Sequence, residues 1–404
     1  MRSDLTPALR RACVTRLSLS NFRCHRLLRL DLGPEPVVLL GANGTGKTSV
    51  LEALSLLGPG RGLRRARLAE MLRSADARPA VGWSVSARLL TGSEPTDVVT
   101  AFSTERDAPP RDRRKVSIDG RAARGGTALA QTLGLIWLTP EMDRLFTEGP
   151  SARRRFLDRL VWGVDPAHAT RVSAYERAMQ QRSALLRQER ADPAWLGVLE
   201  EAMATHGIAV AAARRQATAQ LSEFARASSG ELPGVLIEAR GMVEQWLDEG
   251  PALTAEERLR QALRQSRLLD AETGGGAFGP HRTDVLVRHG GSGRSARECS
   301  TGEQKMLLIA LVLAGARLQR RERGQTPLML LDDVVAHLDA RHRAAVFDVV
   351  ADLGSQAWYT GTDRAPFQPI AHRSRFVALG DAGQHWSTGG EEAGSLEWGS
   401  SIDE

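Results

Sequence analysis

The segment Gly41-Ala42-Asn43-Gly44-Thr45-Gly46-Lys47-Thr48 constrains this chain more than any other. An apolar run, Val37-Val38-Leu39-Leu40, precedes it, and an apolar-periodic stretch from Ser49 to Leu57 follows. Strand, glycine loop and helix in that order form the context in which a Walker A spacing carries meaning. The glycines let successive backbone N–H groups turn inward as an anion-binding nest, and the helix N-terminus adds partial positive charge behind it. Lys47 is placed to reach the β- and γ-phosphates, and the Thr48 hydroxyl to ligate Mg²⁺. A nucleoside triphosphate is the expected ligand, over the alternative of a glycine-rich turn that binds nothing.

A chain of 404 residues has room for two or three domains. No apolar run approaches the roughly 20 residues of a membrane span and no secretory signal is evident, so a cytoplasmic protein without a membrane partner is expected. Cys13, Cys24 and Cys299 lie far apart without a CxxC pair, which fits reduced thiols better than a disulfide framework or a zinc site. The net charge of +6 leans modestly toward polyanionic partners. Only three of the 54 basic residues are lysine, Lys47, Lys115 and Lys305. Lys47 stands where a compact ammonium is needed and a guanidinium fits poorly.

From Val14 to Leu40 the pattern is β, with two alternating segments before the continuously apolar strand at Val37. Further strands are expected at Trp83–Leu90, Asp97–Ser103, Lys115–Ile118 and Leu135–Leu138. Gly149-Pro150-Ser151 then opens a helical region, interrupted by Pro193, Gly197, Gly207 and a β-like Val235-Leu236-Ile237. Helix resumes from Val243 to Leu269, without the sustained heptads of a long coiled coil. After Gly274-Gly275-Gly276 the β/α pattern returns. The expected fold class is α/β: a P-loop ATPase domain built from both ends of the chain, with an inserted helical lobe. Its parts are a flexible extension (1–12), the N-terminal ATPase part (13–148), the helical insertion (149–273), the C-terminal ATPase part (274–380) and a flexible tail (381–404).

Leu328-Met329-Leu330-Leu331-Asp332-Asp333 has the Walker B pattern. A buried strand would deliver Asp332 beside the phosphate loop to hold Mg²⁺, and Asp333 could polarise an attacking water. Upstream, Ser300-Thr301-Gly302-Glu303-Gln304-Lys305 opens an apolar helix, and a Ser-x-Gly cap presents free N–H groups to an anion. By itself that is a plain helix cap. Its order with Walker B and with Ala336-His337-Leu338-Asp339 resembles the ABC-type ATPases.

More specifically, the chain resembles the RecF family of bacterial recombination mediators from about Val14 to Phe376. The resemblance rests on Asn21-Phe22-Arg23; Leu138-Thr139-Pro140-Glu141; Gly149-Pro150 with Arg153-Arg154 and Phe156-Leu157-Asp158; Gly279-Pro280-His281-Arg282 with Asp284; and Leu331-Asp332-Asp333 with Leu338-Asp339. It departs where Glu303 replaces a usual Gln, where His337 replaces a usual Glu, and where Gly361 interrupts a threonine run.

The resemblance implies an ATP- and Mg²⁺-binding protein of recombinational repair and replication restart with slow, DNA-stimulated hydrolysis. Two subunits would close on ATP, Ser300 and Gly302 of one meeting the phosphates held by the other, with Asp339 in the D-loop. Such a dimer would bind gapped or single-stranded DNA, help load the recombinase and support SOS induction, with RecR and RecO as partners. For DNA contacts the candidates are Arg153, Arg154, Arg64 and Arg65. Arg153–Arg155 oppose the dipole of the helix starting at Ser151, which DNA phosphate would offset; internal acidic partners are the equal alternative. The rivals are a transport ATPase subunit, a chromosome-organising SMC-type clamp and an ATPase-coupled nuclease. A large helical insertion and Asp333 speak against the first, missing heptads against the second, and the want of a further acidic cluster against the third.

Overall fold

The computed structural model describes residues 11–73, 81–92, 94–103, 114–123, 125–188, 191–226, 230–335, 338–380 and 385–388. Ala336, His337 and most of the two terminal segments lie outside the described residues.

The chain begins with β1 (Cys13–Phe22), β2 (His25–Asp31) and β3 (Val37–Leu40), followed by α1 (Lys47–Ser55). Next come β4 (Gly82–Leu90), β5 (Pro95–Ser103), β6 (Lys115–Ile118), β7 (Arg121–Ala122), α2 (Gly125–Thr132) and β8 (Leu135–Leu138). The middle holds α3 (Pro150–Trp162), α4 (His168–Leu186), α5 (Pro193–Ala225), β9 (Val235–Arg240), α6 (Met242–Glu249), α7 (Ala252–Gln265), α8 (Arg267–Thr273) and β10 (Asp284–His289). The remainder is α9 (Thr301–Arg323), β11 (Leu328–Leu331), α10 (Ala340–Leu353), β12 (Ala357–Gly361), β13 (Arg375–Leu379) and β14 (His385–Thr388).

Two six-stranded sheets carry the architecture. One is antiparallel in the order β2-β1-β4-β5-β6-β7, and the other runs β14-β13-β3-β12-β11-β8, parallel except for β14. In the second sheet β3 and β8, from the N-terminal part, are interleaved with β11 to β14 from the C-terminal part. Its short apolar strands are buried on both faces, and their period-two alternation divides two cores. Val37 and Leu39 of β3, with Leu328 and Leu330 of β11, pack toward the antiparallel sheet and α1. Val38, Met329 and Leu331 pack on the other side with α9, α10 and α3. A third, smaller core lies among α4, α5, α6 and α7, around Tyr175, Met203, Ile208 and Leu259.

Several expectations change at this level. Gly197 and Gly207 do not interrupt the helical region: α5 runs through both for 33 residues. Pro193 occupies its first turn, and the Asp192 side chain caps it by accepting from Ala194 N at 2.9 Å. Gly207 is needed for close packing, because a Cβ there would sit 3.2 Å from both Leu259 and Tyr175. The Val243–Leu269 helix is three helices, broken at Gly250-Pro251 and at Ser266. The β-like segment at Val235 pairs antiparallel with β10, so residues beyond Gly276 complete a hairpin with the helical region. At the termini, Ala12 is already buried and its N–H donates to Thr326, while β14 falls within the stretch expected to be a loose tail. No helix among the described residues is long and apolar enough to cross a membrane.

Candidate nucleotide-binding site

The phosphate loop connects β3 to α1, and Gly41, Gly44 and Gly46 all have positive φ, of 159°, 91° and 93°. Only glycine enters that region without strain. Gly46 is also sterically obliged, since a Cβ would meet Cys24 Sγ at 2.4 Å and His25 Nε2 at 2.5 Å. Around Gly44, by contrast, a Cβ would meet nothing within 4 Å. The Lys47 ammonium donates to the carbonyls of Gly41 at 2.7 Å and Ala42 at 2.8 Å, and Thr45 Oγ1 donates to Ala42 O at 3.0 Å. Burial lowers the Lys47 pKa, while the charges of Asp333 and Asp332 oppose that shift.

β12 lies between β3 and β11, which brings Walker B beside the loop. Thr48 Oγ1 donates to Asp332 Oδ1 at 3.0 Å, and Thr360 Oγ1 on β12 donates to the same oxygen at 2.8 Å. Thr360 Oγ1 in turn accepts from Asp333 N at 2.8 Å. Burial raises the Asp332 pKa against these two hydrogen bonds. Asp333 turns sharply out of the strand with φ 52°. A threonine hydroxyl and a carboxylate oxygen side by side at a helix N-terminus suit an oxygen-preferring divalent cation such as Mg²⁺, held by Thr48 and by Asp332 directly or through water. Such an ion would neutralise phosphate charge. The nest, Lys47 and this pair are mutually consistent with a Mg²⁺–nucleotide ligand.

Behind the loop sits a part that pattern reading missed. Glu52 of α1 is fully buried, and Arg23 clasps it through Nε at 2.9 Å and Nη2 at 2.7 Å, with Arg64 at 3.5 Å. Arg23 itself has φ 53° and ties its backbone N–H to Met71 O. His25 is buried against the loop, with Nε2 3.2 Å from Gly46 O. The Asn21-Phe22-Arg23 motif thus braces the phosphate-loop helix.

Ser300 caps α9 with a reciprocal capping box: Glu303 N donates to Ser300 Oγ at 3.3 Å, and Ser300 N to Glu303 Oε2 at 2.7 Å. The carboxylate at position 303 is further held by Arg294 at 2.7 Å, and the Ser300 backbone N–H is the foremost cause of its lowered pKa. Gly302 is exposed, with no atom within 4 Å of a would-be Cβ. Asp339 caps α10, accepting from His342 N at 2.9 Å and from the His342 ring at 2.8 Å. Gly302 and Asp339 share a cavity of about 350 Å³ with Lys305 and His342, and its lining contains no phosphate-loop residue.

The candidate DNA-contact arginines divide. Arg153 makes a two-pronged ion pair with Asp284 at 2.8 and 3.0 Å, and Arg154 donates to Thr283 O at 2.7 Å. Both thus have internal partners, an acidic one for Arg153 and a backbone carbonyl for Arg154. Next to them Asp158 is buried, accepting from Arg214 at 2.7 and 2.8 Å and lying 2.8 Å from His168 Nε2. Burial alone would push the Asp158 carboxyl up, but Arg214 and His168 outweigh it and bring the pKa down to about 2. Arg214 also donates to Pro280 O at 2.6 Å, and Tyr175 OH lies 2.6 Å from His281 Nδ1. The Arg153–Asp158 and Gly279–Asp284 motifs therefore form one buried polar knot joining α3, α5 and β10. Arg64 turns toward Glu52, whereas its neighbour Arg65, at φ 57°, is exposed on the other side near Arg155 and Glu176.

Comparison with known proteins agrees with this architecture. The RecF/RecN/SMC N-terminal domain family matches residues 13–366. A protein named DNA replication and repair protein RecF from Rhizobium rhizogenes is 44% identical over 372 residues, covering 92% of this chain and 97% of its own. One of the same name from Brucella suis is 42% identical, covering 93% and 96%. Among solved structures, the recombination mediator protein RecF with ATPrS superposes with TM-score 0.81 at 20% identity, over 95% of this chain and all of that one. An Smc head domain from Pyrococcus furiosus reaches 0.53 at 16% identity, over 93% of this chain and 96% of that one, which extends the likeness to the fold of SMC heads. The chain belongs to the RecF family of DNA replication and repair proteins, built on an ABC-type ATPase fold.

Proposed function

We propose that this chain binds Mg²⁺–ATP at the phosphate loop and acts in recombinational DNA repair as an ATP-controlled DNA clamp. Residues 13–148 and 274–380 make its ATPase unit and 149–273 its inserted lobe. The observation that carries the reading is the convergence of the Thr48 and Thr360 hydroxyls on one Asp332 carboxylate oxygen beside the Lys47 loop. Lys47 and the loop amides bind the phosphates, Thr48 and Asp332 hold the metal, and Asp333 positions water for slow, DNA-stimulated hydrolysis. Ser300, the cap of α9, and Gly302, which shares with Asp339 a cavity free of phosphate-loop residues, serve a second subunit's nucleotide. ATP thereby closes a dimer on gapped or single-stranded DNA, and hydrolysis opens it. The repair context is supported by the relatives, which are DNA replication and repair proteins, and by a structural neighbour that is a recombination mediator of the RecFOR pathway. RecR and RecO as partners, recombinase loading, support of SOS induction and a cytoplasmic location are inferred with that context.

The test is binding of gapped DNA to the purified chain with Mg²⁺–ATP, with Mg²⁺–ADP and with ATP plus chelator. Tight binding only with Mg²⁺–ATP is expected. Equal binding in all three would reject nucleotide control.

A further inference from the structure

A cavity of about 710 Å³ opens between the loop after α1, the end of β8, and helices α3 and α4, with no phosphate-loop residue in its lining. Its size lies in the range of small-ligand sites. Inside it lies the half-buried Arg159 of α3. This guanidinium stacks 4.6 Å from the Trp137 ring and 5.4 Å from Phe156, yet among the described residues no carboxylate pairs with it. Its Nη2 reaches only Met142 sulfur, at 3.3 Å, and its shielded Nε has no acceptor. The rings satisfy the face of the cation but not its edge donors. Burial lowers the pKa to about 9, with Arg65 adding to the shift, so the group stays charged near neutrality. Trp162 lines the same space, and its shielded indole N–H also lacks an acceptor.

The surroundings favour an anion. Arg65 and Arg155 line the exposed side, where each lowers the pKa of Arg65 or Arg159 through like charge. Four acids also line the cavity. Asp158 is fully occupied by Arg214 and His168, and Glu141, Glu148 and Glu176 are exposed to solvent. None of these acids therefore neutralises Arg159 inside the cavity. Buried donors of this kind are satisfied by an acceptor-only partner, and a guanidinium edge matches phosphate oxygens.

We infer that this cavity is a second phosphate site, in which the Arg159 guanidinium binds a phosphate group, with Arg65 guarding its entrance. No phosphate-loop residue lines the site. Its ligand is either a free phosphate compound or the backbone of a nucleic acid.

The experiment titrates inorganic pyrophosphate into the Lys47→Ala full chain, where the phosphate loop is disabled, by calorimetry. Saturable binding is expected, weakened roughly tenfold or more by adding Arg159→Met and several-fold by adding Arg65→Gln, an exposed change that leaves the interior intact. Competition by a twelve-residue thymidine oligonucleotide would identify the source as nucleic acid; no competition would identify a free phosphate compound. Absence of pyrophosphate binding at millimolar concentration in Lys47→Ala overturns the site. So does binding that neither arginine substitution weakens.

Discussion

The Thr48 hydroxyl donates to the Asp332 carboxylate across 3.0 Å, closing a contact between residues 284 positions apart in sequence. That bond joins the first turn of the helix behind the phosphate loop to the end of a strand delivered by the far end of the chain. The contact makes the site a property of the folded sheet, because β3 and β11 meet only through β12.

Lys47→Ala should abolish productive ATP binding while leaving the fold intact. The ammonium's acceptors are two loop carbonyls on a partly exposed surface, so little packing depends on it. Affinity for a fluorescent ATP analogue should fall at least about tenfold, the loss of one charge-assisted contact. Thermal unfolding should hardly move. Wild-type affinity in the folded variant would contradict the assignment.

Thr360→Val should damage both stability and metal-dependent nucleotide binding. It removes the hydroxyl that bridges Asp332 and the Asp333 N–H, leaving a buried donor and acceptor short of a partner. A stability loss of about 1–3 kcal/mol is expected from denaturant unfolding. An unchanged midpoint together with unchanged Mg²⁺–ATP affinity would show the bridge to be idle.

These parts differ in how readable they were in the sequence. Strand, glycine loop and helix are contiguous from Val37 to Leu57, so local periodicity and glycine chemistry reveal them. Asp332 and Asp333 close an apolar run of their own. Thr360 has no such signature, because its role depends on β12 lying between two strands from opposite ends of the chain. Arg23 beside Glu52, and Cys24 and His25 beneath Gly46, are likewise long-range contacts, between the β1–β2 turn and the phosphate loop with its helix. Gly207 reads as a break in pattern alone, since the neighbours that require its small size come from α4 and α7. The partners of Arg153 and Arg154, Asp284 and the Thr283 carbonyl, cannot be read locally because they lie far away in sequence.

Arg153→Ala should act on the fold before it acts on DNA. Its guanidinium is mostly buried and pairs with Asp284 at 2.8 Å, so truncation strands a partly buried carboxylate. Unfolding free energy should drop by about 1–3 kcal/mol. The slope of log affinity for DNA against log salt should stay unchanged, whereas loss of one phosphate contact would shift it by about 0.9. A shifted slope with unchanged stability would restore Arg153 to the DNA surface.

His25 should impose an acid limit on stability. Burial lowers its pKa below the ordinary 6.5, against the opposing Gly46 carbonyl. Below that value the unfolded chain takes up a proton that the folded chain resists, so the unfolded state binds more protons and stability falls as pH drops. Stability attributable to His25 is thus complete above about pH 6.5 and declines below it. Denaturant midpoints measured from about pH 7.5 to 5.5 should fall less in His25→Gln than in the wild type. An identical decline in both would remove His25 as a cause.

The claim that two copies of this chain share each nucleotide is tested most directly by sedimentation of mixed variants. Lys47→Ala disables the phosphate loop, and Ser300→Arg fills the open helix start beside Gly302. With ATP the wild type should form dimers, and with ADP it should not. Each variant alone should remain monomeric, because either defect spoils both sites of its homodimer. An equimolar mixture should recover part of the dimer, since one composite site keeps the intact loop of one subunit and the intact Ser300 helix of the other. Dimerisation of Ser300→Arg alone at the wild-type level would contradict the shared site and leave Ser300 as a helix cap.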